Sequence, residues 1–146
     1  MSMLKRSPWI ALIVLALFSI SCASGGAAGD VPAGPTDEEV IAQMVDRAMS
    51  LLSSGDVETL MTMYADDFAS DQGMDKNGMT QFLTGAKDQG FLEGMTTNSD
   101  AMAIAVDGDT ASVTGVAIEG AFGALTLGFG LERRDGVWII TSQTQQ

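Results

Sequence analysis

The sequence contains no histidine and a single cysteine, Cys22. The first absence removes the commonest general base, the commonest metal ligand and every Ser-His or Cys-His nucleophile pair. The second rules out a disulfide framework and a thiolate metal cluster. Basic residues are also scarce, 7 against 19 acids, giving a formal net charge of −12. Removing the first 21 residues takes away Lys5 and Arg6 and no acid, which leaves about −14. Such an anionic surface repels nucleic-acid phosphates and anionic lipid head groups, so neither is expected as a partner. Its plain physical consequence is solubility. At 146 residues the chain suits one domain with a sizeable core and is too short for two comfortable ones.

The apolar residues are unevenly spread. Lys5 and Arg6 precede Trp9 to Ile20, a run interrupted only by Ser19. Twelve helical residues reach about 18 Å, short of a bilayer core, so the run reads as the apolar part of an export signal, not a span. It closes on Ser19-Ile20-Ser21-Cys22, which resembles a bacterial lipoprotein box, in which the cysteine receives lipid and becomes the new N-terminus. The box departs from the usual pattern at Ser19, where a large aliphatic is common. Ser19-x-Ser21 and Ser21-x-Ala23 also suit ordinary signal peptidase, which would release a soluble protein. Ala23 resembles the residue that directs such lipoproteins to the outer membrane. Residues 24–35, SGGAAGDVPAGP, have no apolar period and read as a flexible tether. The expected organisation is an export signal over 1–21, a lipidated Cys22 and tether over 22–35, and a globular domain over 36–146, held at the cell envelope.

Within that domain Thr36-Asp37-Glu38-Glu39 is a capping box with three acids in the first turn. Val40, Ile41, Met44, Val45, Ala48, Leu51 and Leu52 recur at helical spacing behind it. Gly55 suits the end of that helix and Asp56 the cap of a second, expected over Val57 to Tyr64. A short strand is expected over Phe68 to Gln72. Asp75 then caps a third helix from Lys76 to about Asp88, with Met79, Phe82 and Leu83 inward. From Met95 the period changes to two. Met102, Ile104 and Val106 alternate with alanines, Asp107-Gly108-Asp109 turns, and Thr110 to Glu119 returns. Ala124 to Arg133 follows, with Leu125, Leu127, Phe129 and Leu131 on one face. Arg134-Asp135-Gly136 turns into a last strand, Val137 to Thr144. Helices first and a meander of strands after is an α+β signature. Glycines at 115, 128 and 130 are placed to let the sheet bend.

Four short motifs in order resemble the nuclear-transport-factor-2-like superfamily, which includes SnoaL-like polyketide cyclases and ketosteroid isomerases. They are Ser53-Ser54-Gly55-Asp56, Leu60 with Tyr64-Ala65-Asp66-Asp67-Phe68, the Val106 to Ala111 hairpin, and Asp135 to Ile140. The resemblance covers about Asp37 to Gln143. It implies a cone-shaped roll of three helices packed in a curved, mostly antiparallel sheet, with an apolar pocket at the open end and frequent homodimers. Carried over from the shared Gly-Asp turn, the isomerases' oxyanion-donating tyrosine falls on Ala48 and their aspartate base on Gln72. The His-Asp pair of scytalone-dehydratase-type members has no histidine to form it. The resemblance therefore implies the fold and argues against the best-known activities, which a fold alone never establishes.

The candidate metal motifs point to no site. Asp66, Asp67, Asp71 and Asp75 read as a polar turn and a helix cap. Aligning Gly78 with the invariant glycine of an EF-hand loop puts Gly73 and Thr84 where carboxylates are required. Met61 and Met63, two apart on a helix, make a poor chelate for a soft metal and suit core filler better. No cofactor is expected. The expected ligand-binding residues are Ala48, Leu52, Met61, Tyr64, Phe68, Gln72 and Trp138. The expected function is a membrane-tethered, non-enzymatic module that holds a small apolar ligand or a protein partner in the cone. Two alternatives stay open: a SnoaL-like enzyme using Asp71 or Tyr64 in proton transfer, and a homodimeric interaction protein whose pocket is filled by its own side chains.

Overall fold

The computed structural model describes residues 34–146. The expected export signal, the expected lipidation site Cys22 and the expected tether as far as residue 33 lie outside the described residues. Helix α1 (Asp37–Ser54) starts as its capping box requires: Glu39 N–H donates to Thr36 Oγ1 and Thr36 N–H donates to the Glu39 carboxylate. It stops at Gly55, whose φ of 70° places it in the left-handed region. Its core stripe is Ile41, Val45, Ala48, Met49 and Leu52. Val40 and Met44 sit at the margin of that stripe, not in its centre, and Val40 is exposed.

Helix α2 (Val57–Met61) is capped by Asp56 and ends earlier than the expected Tyr64. The reason is tertiary. Met63 C=O accepts from Ile140 N–H, which pulls the chain into strand β1 (Tyr64–Ser70), so the strand begins four residues before the expected Phe68. It also ends before the expected Gln72. Ser70 N–H donates to Met74 C=O and Ser70 Oγ accepts from Met74 N–H, closing a turn around Gly73. Helix α3 (Lys76–Asp88) follows, with Asp75 accepting from Gly78 N–H. The segment after Met95 forms two strands in place of one, β2 (Thr96–Asn98) and β3 (Ala103–Asp107), separated by a turn in which Met102 N–H donates to Ser99 C=O.

Strands β4 (Thr110–Gly120), β5 (Gly123–Arg134) and β6 (Val137–Gln145) make the meander. The sheet order is β1-β6-β5-β4, with β2 and β3 both on the far side of β4. Among the described strands only β1 on β6 is parallel. The β5–β6 turn, Asp135-Gly136, has φ of 53° and 79° at its two central residues, the pattern of a type I′ hairpin turn, and it pairs Arg134 with Val137. Besides a register shift between Tyr64 and Ala69 on β1, two irregularities in the antiparallel ladder curve the sheet. One lies on β4 between Val113 and Val116, around Gly115; the other lies on β6, where Thr141 is the extra residue between the Leu131–Ile140 and Gly130–Ser142 pairs. The concave face closes on the helices, burying Ile41, Leu60, Phe68, Val113, Val116, Leu131 and Ile140 almost completely. The architecture is the α+β cone of three helices in a curved, mostly antiparallel sheet. Among the described residues no helix is long and apolar enough to cross a membrane.

Candidate functional site

The open end of the cone is a cavity of about 550 Å³, within the range of small-molecule sites. It lies between α3 with the loop after it, the C-terminal end of α1, and the distal ends of β4, β5 and β6. Its depth is apolar: Leu52, Leu60, Met79, Leu83, Met95 and Leu127 are all buried side chains. The cone's methionines and phenylalanines therefore do not pack it shut. Three phenylalanines line it while remaining open to solvent, Phe82 at 59%, Phe91 at 42% and Phe122 at 40% exposure. Apolar rings this exposed mark a mouth, because an ordinary surface would hide them.

The polar groups gather on one side, where β1 meets the end of β6. Tyr64 opens β1 and is 3% exposed; its hydroxyl donates to Gln143 Oε1 at 3.1 Å. Its ring meets Phe68 edge to face at 4.9 Å between centroids. Burial pushes the phenol above its ordinary range, so at neutral pH it is a neutral hydroxyl and not a phenolate. Asp71 Oδ2 accepts from the backbone N–H of Gln145 at 3.0 Å, and Gln72 Nε2 donates to Gln145 Oε1. With Gln81 from α3 and Gln89 just past its end, the cavity carries five glutamine amides.

The structure brings some of the residues expected from the sequence to the cavity and not others. Leu52, Tyr64, Gln72 and the alternative Asp71 line the cavity. Ala48, Met61 and Phe68 do not; they are buried against other core side chains. Trp138 sits at the other end of the domain. Its indole N–H donates to Asp37 at 3.3 Å, and the Arg133 guanidinium stacks over its ring at 4.6 Å and reaches Asp37 at 2.6 Å. Gln143 lies five strand residues further along β6, roughly 16 Å away. Asp71 and Gln72 both follow the end of β1, in a turn where strand alternation no longer applies, and both are exposed at the cavity.

Gln143 and Gln145 were missed because of the bulge in β6. Trp138 and Ile140 point inward, so strict alternation sends Gln143 and Gln145 outward; the extra residue at Thr141 reverses the faces and pairs them with inward Phe129 and Leu127. The acid run disperses as well. Asp66 pairs with Lys76 at 2.8 Å, Asp67 with Arg134 at 2.7 Å, and Asp75 caps α3. Among the described residues no three of His, Cys, Asp or Glu gather where they could hold a metal.

No protein-family model matches the chain, and no curated protein does. Solved structures do. A protein of unknown function with a cystatin-like fold from Nostoc punctiforme is 18% identical, covering 75% of this chain and 91% of its own at a TM-score of 0.62. A nuclear-transport-factor-2-like protein from Cytophaga hutchinsonii is 18% identical over 77% of this chain and 98% of its own, with a TM-score of 0.59. A proposed scytalone dehydratase from Novosphingobium aromaticivorans is 17% identical over 75% and 82%, with a TM-score of 0.62. At these identities the likeness is one of fold, and the described domain has the cystatin-like, nuclear-transport-factor-2-like fold.

Proposed function

We propose that this chain is a non-enzymatic binding module, tethered to a membrane through lipid on Cys22, that holds a small apolar molecule in the cone. The observation that carries the reading is the open, apolar cavity, combined with the state of its two proton-transfer candidates. Asp71 spends one carboxylate oxygen on Gln145 N–H, and Tyr64 is a buried, neutral donor already committed to Gln143. The position carried over from the isomerase base is Gln72, an amide that takes no proton at neutral pH. The position carried over from the oxyanion donor is Ala48, which does not reach the cavity.

Native mass spectrometry of the purified protein tests the proposal, with retained small apolar mass as the expected result. A panel of ketosteroid and polyketide-like substrates tests the enzymatic alternative. Turnover by the wild type that disappears in Asp71→Asn or Tyr64→Phe would overturn the non-enzymatic reading.

A further inference from the structure

We infer that the cavity selects uncharged molecules bearing one hydrogen-bond acceptor, such as a ketone or ester on an aliphatic body, and rejects carboxylates of the same length. The inference rests on the binding reading above and adds the ligand class. Its first support is charge. Among the described residues no lysine or arginine lines the cavity, and the one carboxylate that does, Asp71, stands at the mouth. Lys76 of α3 is turned to Asp66. A carboxylate entering an apolar space without a cation loses its hydration and meets a like charge, and both effects oppose it.

The second support is the pairing of Tyr64 with Gln143. The tyrosine hydroxyl donates to the amide oxygen, so Gln143 Nε2 is left as a donor with no partner among the described residues. Gln143 is half-buried and lines the cavity, and its free amide N–H can donate to an acceptor oxygen on a bound molecule. A pure hydrocarbon would leave it unpaired, and an ammonium would bring another donor. Asp71 does not reverse this preference toward cations, because its carboxylate is already engaged by Gln145 N–H and open to solvent.

The test is displacement of Nile red from the full chain in nanodiscs, with empty nanodiscs as the blank, by 2-nonanone, octanoate and octylammonium at neutral pH. The ketone should displace the dye at a concentration at least about tenfold below that of octanoate. Asp71→Arg, on the exposed rim, should narrow or reverse that ratio. The double change Tyr64→Phe with Gln143→Leu removes both hydrogen-bonding partners together, which spares the fold an orphaned group. It should weaken the ketone by about three- to tenfold, with circular dichroism checking that the protein is folded. Octanoate or octylammonium matching the ketone on the wild type would overturn the inference, as would a ketone affinity indifferent to the double change. If Nile red itself fails to bind, the binding reading falls first and this one with it. Selective failure with intact dye binding removes only the ligand class.

Discussion

Gly115→Ala is the sharpest single test of how the sheet is built. Gly115 has φ of 78°, and a Cβ there would run into the carbonyl oxygen of Ala101, a backbone atom that no side-chain rotation can move aside. The close approach lets the β2–β3 turn lie against the irregularity in β4. Two costs add. Alanine in the left-handed region costs about 1–2 kcal/mol. Forcing the Ala101 segment outward costs about 1–3 kcal/mol more, the range for overpacking a close contact. The total expected loss is about 2–5 kcal/mol, large against the stability of a small domain. Gly73→Ala supplies the control, because Gly73 has φ of 77° and nothing within 4 Å of its added carbon. It should lose only the conformational part. Urea unfolding of both variants, followed by circular dichroism, measures the difference. Equal losses, within the ~0.5 kcal/mol by which independent measurements agree, would refute the claim that Ala101 crowds this position.

Three further outcomes are expected. Gly136→Val forces a β-branched residue into φ of 79° at the β5–β6 turn and should cost about 1 kcal/mol or more; an unchanged melting temperature would show that the turn tolerates any residue. The Arg133 guanidinium, and then the Trp138 indole N–H, hold the Asp37 carboxyl below its ordinary 3.8. That contribution is present above the ordinary value and is lost as pH falls through the lower folded one, so wild type should lose more stability than Asp37→Asn on acidification from about pH 5 to pH 2. Parallel acid curves would remove Asp37 from the linkage. Finally, cells expressing the wild type should retain it in the membrane fraction while Cys22→Ala is released, because several acyl chains on one cysteine hold firmly where one holds weakly; equal release would end the tether proposal.

What the sequence determined by itself is what local chemistry decides. Thr36 and Glu39 cap α1, Asp56 caps α2 and Asp75 caps α3, each within three residues of the amide it serves. Asp135-Gly136 sets its hairpin because only such a pair accepts two successive positive φ angles cheaply. Period and order then carry the α+β class, the α1 stripe from Ile41 to Leu52 and the inward Leu127, Phe129 and Leu131. Where pairing partners lie far apart in the chain, tertiary structure decided. Ile140 draws Met63 out of α2 and starts β1 early. Ala101 is held against Gly115, fourteen positions on. The candidate site shows the limit most plainly. A single extra residue at Thr141 inverts the faces of β6, bringing Gln143 under Tyr64 and Gln145 against Asp71. A bulge changes the register of two strands without leaving a periodic signal in either, so the polar side of the cavity exists only once β5 and β6 are paired.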